Sequence, residues 1–192
     1  VMYDAALYYG KRVIEKSNIL ERHHLKPQQY ILATIHRAEN TDAPIRLRAI
    51  FEGLSKVAEE IPVVLPLHPR TRAALIRENL YEMVIQSLLI IPPVGYLDMV
   101  MLEKNARLIA TDSGGVQKEA YFYRVPCVTL RGETEWVELV ENGWNSLVNC
   151  IDSNSIALFI LGCLNKFGSS YAELYGKGVS SKKIVGLFNI KD

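Results

Sequence analysis

Short apolar runs alternate with longer segments of helical periodicity along this chain. The run 30–35 is compact and apolar, as expected of a buried strand, whereas Leu47, Ile50 and Leu54 recur at the spacing of one helix face within 44–60. The same pattern predicts further strands at 63–67, within 84–91, and at 106–110, 126–130 and 146–148, and helices from the first residues onward and at 70–80, 96–104, 116–123, 133–141, 153–167 and 180–188.

This alternation predicts an α/β fold: one Rossmann-like parallel sheet with helices on both faces. Ligands of such sheets bind beyond the carboxyl ends of the strands. Unusual loop segments follow five of the predicted strands, at 36–40, 68–70, 92–96, 112–115 and 131–136. Each segment alone is compatible with a solvated loop, but five of them at one edge of the sheet predict a binding site there.

Length and composition argue against several classes of protein. The 192 residues suffice for one domain with a core, and we expect a single domain over 1–192. A formal net charge of +1 without a basic block argues against nucleic acid as a partner. The three cysteines lack Cys-x-x-Cys spacing, which argues against a disulfide framework and structural zinc and favours a reducing cytoplasm.

The same composition gives two expectations about the chain as a whole. No apolar run reaches the roughly 18 residues of a membrane span, so we expect no membrane insertion. The first residues, Val1 to Asp4, resemble no signal peptide, and a helical pattern is already under way there. We therefore expect a chain that begins at a domain boundary.

The segment 111–119 carries the most specific chemistry. Ser113, Gly114 and Gly115 lie where a predicted strand passes into a helix, so free main-chain N–H groups and the helix dipole favour a phosphate there. Glu119, about one and a half turns further on, has a carboxylate that suits the vicinal hydroxyls of a ribose. The alternative is a merely structural helix start, with Asp112 or Ser113 as the N-cap.

His36 is the candidate functional imidazole. It follows the first predicted strand, and histidine exchanges a proton near neutral pH. A lone histidine at a strand end is more often structural, but the adjacent Arg37 and Glu39 favour function. His68 is better explained as a residue that holds its loop. We expect no metal site, because the histidines and acids lack the spacing of metal ligands.

The segment after the fifth predicted strand leaves two alternatives open. Arg131 could bind phosphate and Trp136 could stack on a base, or both could belong to an exposed helix start with acids in its first turn. A sugar-modifying enzyme also needs acid and base groups that face its substrate. We identify no such pair of acids in this chain, so the chain is expected to hold a nucleotide against a second wall.

Four ordered motifs together resemble the non-hydrolysing UDP-N-acetylglucosamine 2-epimerases. They are 34–40 (TIHRAEN), 67–70 (LHPR), 111–119 (TDSGGVQKE) and 131–136 (RGETEW), and 176–178 (GKG) is similar to that family as well. The resemblance covers nearly the whole chain. It implies one half of a glycosyltransferase-B-like fold of two Rossmann-like domains, with this chain as the C-terminal domain and the N-terminal domain as its missing partner.

The resemblance also implies a chemistry: reversible elimination of UDP across C1 and C2 of the sugar, followed by re-addition, without metal or cofactor. UDP or a UDP-N-acetylhexosamine is the implied ligand, and a homo-oligomer is compatible with it. The catalytic carboxylates would lie mainly in the N-terminal domain. Stabilising the departing UDP would be the task of this domain.

Individual roles follow from the same resemblance. Ser113, Gly114 and Gly115 would hold the diphosphate, and Glu119 would bind the ribose hydroxyls. The implied catalytic residue is His36, which would also contact the diphosphate, and its neighbour Arg37 is a further candidate for substrate binding. The implied base pocket is the segment 94–99, with Val94 and Met99 as its binding residues.

Two departures from the family keep other functions open. Trp136 stands where some members have a phosphate-binding arginine, and many members have an aromatic residue near the position of Met99. The Glu-Trp sequence at 135–136 resembles relatives that act on diacetamido-glucuronic acid sugars. A glycosyltransferase-like enzyme and a non-catalytic nucleotide-sugar-binding module are the remaining alternatives.

Overall fold

A central sheet of six parallel strands organises the computed structural model, which describes residues 1–165 and 173–188. The strands are β1 Ile31–Thr34, β2 Val63–Pro66, β3 Leu89–Ile91, β4 Leu108–Thr111, β5 Cys127–Thr129 and β6 Asn145–Leu147. Their order in the sheet is β3-β2-β1-β4-β5-β6, and every neighbouring pair is parallel. The predicted Rossmann-like α/β fold is confirmed.

Helices cover both faces of this sheet. They are α1 Met2–Lys16, α2 Ile19–Arg22, α3 Ala38–Thr41, α4 Pro44–Ala58, α5 Pro69–Arg77, α6 Tyr81–Ser87, α7 Tyr96–Asn105, α8 Gly114–Phe122, α9 Val137–Glu141, α10 Ser153–Cys163 and α11 Ser180–Phe188. Successive residues of a strand point to opposite faces. Ile31 accordingly packs in the core beneath α4 and α10, and Leu32 packs in the core beneath α7 and α8. No helix in the described ranges is long and apolar enough to cross a membrane.

The strand predicted within 84–91 is β3, and residues 84–87 before it belong to α6. Helices α9 and α10 are shorter than the sequence predicted. Helix α9 begins at Val137 and leaves 133–136 as a loop, where the Thr134 hydroxyl accepts the Trp136 main-chain N–H and donates to Gln117. Helix α10 ends at Cys163, and the rest of its predicted range reaches beyond the described residues.

The chain reverses its direction of winding between β1 and β4. These two central strands pair from Ile31 with Leu108 to Thr34 with Thr111, and the two threonine hydroxyl oxygens lie 2.6 Å apart. The segments that follow β1 and β4 diverge to opposite sides of the sheet and leave a crevice between them. Such a switch point is where open α/β sheets bind ligands.

Candidate functional site

The loop after β1 is held in place by the first residue after β4. Asp112 is fully buried, and its carboxylate accepts the main-chain N–H groups of His36, at 3.1 Å, and Arg37, at 3.0 Å. The same carboxylate accepts the side-chain amide of Asn40 at 3.1 Å. Asp112 therefore supports the loop instead of capping α8. This role was missed from the sequence, because the three donors are distant from Asp112 along the chain.

The N-terminus of α8 faces the crevice with unpaired donors. Ser113 occupies the N-cap position, but its side chain makes no capping hydrogen bond. Within the described ranges, no hydrogen-bond acceptor is found for the main-chain N–H groups of Gly114, Gly115 and Val116. Three free donors at the positive end of a helix dipole are chemically suited to bind an anion. The merely structural, capped helix start is therefore not what the geometry favours.

Polar side chains surround Gly114. A Cβ atom at this position would lie 3.3 Å from Trp136 Nε1, 3.5 Å from Arg37 Nη2 and 3.5 Å from Glu135 Oε2. The Arg37 guanidinium thus lies close to the start of α8, and its side chain is 40% exposed. Arg37 and the free N–H groups together can neutralise an anion in the crevice.

A small cavity opens beside this helix start. Its volume is about 170 Å³, and its lining includes His36, His68, Val94, Met99 and Val116. The sequence analysis predicted Val94 and Met99 for a base pocket, and both line this cavity together with the candidate imidazole. The rings of His36 and His68 both line the cavity, are tilted by 35° to each other and have centroids 5.5 Å apart.

The two histidines are held differently. The His68 Nδ1 atom accepts the main-chain N–H of Arg70 at 3.1 Å and caps α5, which confirms the predicted loop-holding role. The His36 imidazole is 40% exposed, and its Nδ1 atom lies 3.7 Å from the Asp112 carboxylate, beyond hydrogen-bond distance. His36 therefore has a fixed backbone and a side chain that a ligand can reach.

Glu119 lies on α8 beyond the cavity and is partly buried. Tyr96 donates its hydroxyl proton to Glu119 Oε1 at 3.1 Å. Burial raises the pKa of the Glu119 carboxyl above its usual value. A second acid, Glu103 on α7, interacts with it and is fully buried. Glu103 was missed from the sequence, although it follows the buried Val100 by three residues and so shares its helix face.

The comparisons with known proteins agree on one family. A sequence model of the family described as UDP-N-acetylglucosamine 2-epimerase matches residues 1–189. The chain belongs to the UDP-N-acetylglucosamine 2-epimerase family. It is 47% identical over 189 residues to a UDP-N-acetylglucosamine 2-epimerase homolog of Methanococcus maripaludis, covering 96% of this chain and 52% of that protein.

Two further members of the epimerase family, one of them a solved structure, are similar to this chain. The UDP-2,3-diacetamido-2,3-dideoxy-D-glucuronate 2-epimerase of Pseudomonas aeruginosa is 44% identical over 185 residues, covering 96% of this chain and 49% of that protein. The crystal structure of the Methanocaldococcus jannaschii UDP-GlcNAc 2-epimerase in complex with UDP-GlcNAc and UDP matches with a TM-score of 0.87 and 38% identity, covering 99% of this chain and 53% of that one. The chain thus spans about half the length of the relatives it matches.

In the motif at 131–136, Arg131 supports the crevice but does not offer it an unpaired positive charge. Arg131 is buried between two carboxylates, with Nε 3.2 Å from Glu39 and Nη1 3.1 Å from Glu135. Of the two arginines near the crevice, Arg37 is therefore better placed than Arg131 to bind an anion. Glu135 lies 3.7 Å from Arg37 and links the two guanidinium groups.

The indole ring of Trp136 lies against the start of α8. Its indole N–H donates to the main-chain oxygen of Gly114 at 2.8 Å. The ammonium group of Lys118 lies 3.5 Å from the centre of the Trp136 ring, a cation–π contact that covers this face. Trp136 thus braces the start of α8, and this geometry favours a structural role over base stacking.

Proposed function

We propose that this chain is the UDP-binding domain of a UDP-N-acetylglucosamine 2-epimerase. A second domain would close the crevice and supply the catalytic carboxylates. The observation that carries the proposal is the unpaired N-terminus of α8 beside Arg37, at the switch point of a sheet whose relatives are epimerases about twice as long. The epimerisation of UDP-GlcNAc to UDP-ManNAc is the proposed reaction of the complete protein.

The diphosphate of UDP would bind at the start of α8. The main-chain N–H groups of Gly114 and Gly115 have no acceptor among the described residues, and the Ser113 side chain makes no capping bond and can turn to a phosphate oxygen. Arg37 adds a positive charge within reach of the same anion. During reversible elimination UDP leaves as an anion, and donors fixed before the reaction stabilise it without reorganising.

The nucleoside would extend from the diphosphate over α8. The base would enter the cavity lined by Val94 and Met99, and the ribose hydroxyls would bond to the carboxylate of Glu119. His36 borders the same cavity, with its backbone fixed by Asp112 and its imidazole half-exposed. It is the proposed donor to the leaving diphosphate and the one catalytic residue that we assign to this domain.

A diacetamido sugar is the second candidate substrate. The relative that acts by name on UDP-2,3-diacetamido-2,3-dideoxy-D-glucuronate is 44% identical to this chain, close to the 47% of the epimerase homolog. The Glu135-Trp136 pair supports the same candidate. Both candidates share the UDP moiety, so the UDP site proposed here is common to them.

A location in the reducing cytoplasm is also part of the proposal. The three cysteines are free and buried, which agrees with that location.

A binding series by calorimetry tests the proposal. We expect the chain to bind UDP, with uridine and pyrophosphate each binding more weakly because each occupies only part of the site. The epimerase assignment predicts that UDP competes with UDP-N-acetylglucosamine for one site. Equal affinity for ADP and UDP would contradict a base pocket that selects uracil, and no binding of UDP would overturn the proposed function.

A further inference from the structure

A buried acid without a charged partner lies behind the proposed ribose site. Glu103, on α7, is fully buried, and neither of its carboxylate oxygens has a hydrogen-bond donor among the described residues. An unpaired ionised carboxylate in an apolar interior is strongly unfavourable. Such a group is stabilised when it becomes protonated or when a neighbouring group donates a hydrogen bond to it.

The groups that face Glu103 supply no positive charge. Tyr30 donates its hydroxyl proton to the Leu102 carbonyl at 2.6 Å, and Cys127 is a buried neutral thiol. Lys104, the next residue along α7, donates to the carbonyl of Gly10 and so points elsewhere.

Helix α8 and the start of α7 contribute the remaining neighbours. Tyr123 lies close by and donates its hydroxyl proton to the Ala6 carbonyl at 3.3 Å, while Tyr96 donates to Glu119. Among the described residues, the acid beside Glu103 is Glu119.

Two adjacent acids in such surroundings share one proton. Burial raises the pKa of Glu103 well above its usual value, and the charge of Glu119 raises it further. Glu119 is more exposed and already accepts a proton donor from Tyr96, which favours its ionised form. If the pair holds one proton, these surroundings favour its place on Glu103 and leave the negative charge on Glu119.

We propose that Glu103 is a positioning residue for the nucleotide, whose protonated carboxyl group donates a hydrogen bond to the Glu119 carboxylate and orients it toward the ribose hydroxyls. The inference rests on the proposed function, because it assumes that Glu119 binds ribose. A carboxylate offers about four lone-pair sites. Tyr96 and Glu103 would occupy two of them, which leaves the others for the ligand.

Two variants separate this role from simple packing. Glu103→Gln keeps a donor for Glu119 without an ionisable group, whereas Glu103→Leu keeps the volume and removes the donor. We expect Glu103→Gln to bind UDP within about threefold of the wild type and Glu103→Leu to bind about tenfold more weakly, the order of one charged hydrogen bond. Both variants bury no charge, so both should fold, which circular dichroism verifies. Pyrophosphate affinity should be the same in all three proteins.

The protonation state is measured directly by NMR of the side-chain carboxyl carbons of ¹³C-labelled protein. At neutral pH we expect the chemical shift of a neutral acid for Glu103 and that of a carboxylate for Glu119. An ionised Glu103, or UDP affinity unchanged in Glu103→Leu, would overturn the positioning role while the proposed function stands. If UDP does not bind to the wild-type chain, or if Glu119→Ala leaves UDP affinity unchanged, the proposed ribose site is wrong and this inference is overturned with it.

Discussion

Asp112 binds the main-chain N–H of His36 with both oxygens of its carboxylate, each at 3.1 Å. This contact joins the ends of β1 and β4, the two strands between which the winding of the sheet reverses. Because Asp112 is fully buried, its charge is compensated by these N–H groups and not by water. The main chain of His36, which carries the candidate imidazole, is therefore held in place by the residue that immediately precedes the proposed phosphate site.

Replacing Asp112 by Asn should destabilise this junction. An amide has one acceptor oxygen, and its NH₂ group would face the N–H donors of His36 and Arg37, leaving a buried donor unpaired. We expect a loss of about 1–3 kcal/mol in the free energy of unfolding, measured by urea denaturation, together with weaker UDP binding. Asp42→Asn, at an exposed pair with Arg70, is the matched control and should change stability by less than about 0.5 kcal/mol. Equal stability of the two variants would contradict the role of Asp112.

A side chain at Gly114 should block the proposed phosphate site. In Gly114→Val the new carbon atoms would lie between the helix start and the Arg37 guanidinium, where the diphosphate is proposed to bind. We expect UDP affinity to fall about tenfold or more, which corresponds to at least about 1.4 kcal/mol, with the fold retained after a small shift of Trp136. The control is Gly162→Val, at a helical glycine of α10 that has open space around it. Wild-type UDP affinity in folded Gly114→Val would refute the assignment.

Loss of the Glu119 carboxylate should affect nucleosides and not phosphates. Glu119→Ala should weaken UDP binding by about 1–3 kcal/mol, the range for hydrogen bonds to a charged group, because the ribose hydroxyls lose their acceptor. Calorimetry with pyrophosphate should give nearly the wild-type affinity. Equal losses for the two ligands would instead indicate that Glu119 supports the phosphate site or the fold.

The sequence predicted the sheet better than the contacts of the site. Strands β1 and β4 are apolar runs that are buried on both faces, so their composition alone indicated them. The strand predicted within 84–91 is present, but its start could not be placed, because an apolar run does not distinguish a strand from a buried helix. The glycines after β4 were correctly placed at a helix start.

The supporting residues could not be predicted from the sequence, because each of them contacts a residue that is distant along the chain. Asp112 meets His36 over 76 positions of the chain, and only the parallel pairing of β1 with β4 brings them together. The sequence left Arg131 open between a phosphate ligand and a residue of an exposed helix start, and in the structure it is buried and binds Glu39, 92 positions away. Glu103 carries a helix-face pattern that marks it as buried, but its partner on α8 is visible only in the structure.

The buried Glu103 should make the protein less stable as pH rises. Burial raises the pKa of Glu103 in the folded state above the value of about 4.3 expected when unfolded, so the folded state binds more protons between these two pKa values. Stability due to this group is complete below the unfolded pKa and is lost as pH rises, at about 1.4 kcal/mol per pH unit, until the folded pKa is passed.

Glu103→Gln should remove this loss, so the variant should gain stability over the wild type as pH increases from about 5 to 8. Urea denaturation at a series of pH values measures the difference. Exposed Glu60→Gln serves as the control and should run parallel to the wild type. A constant difference between Glu103→Gln and the wild type at all pH values would show that Glu103 is already ionised in the folded protein.

The proposed division of labour predicts that these 192 residues bind UDP weakly and do not epimerise the sugar. Weak binding follows because one wall of the crevice would come from the other domain, which leaves the nucleotide partly solvated. Epimerisation requires acid and base groups that face C2 of the sugar. The acids at this crevice already bind other groups of the protein: Asp112 binds the His36 loop, Glu39 and Glu135 bind Arg131, and Glu119 bonds with Tyr96.

Incubation of the chain with UDP-N-acetylglucosamine in deuterated water, followed by NMR, should show no exchange of the C2 proton. The matched positive control is a two-domain relative under the same conditions, in which exchange is expected. Clear exchange by the chain alone would mean that the proton-transfer groups lie in this domain, and the assignment of His36 as its one catalytic residue would then be wrong.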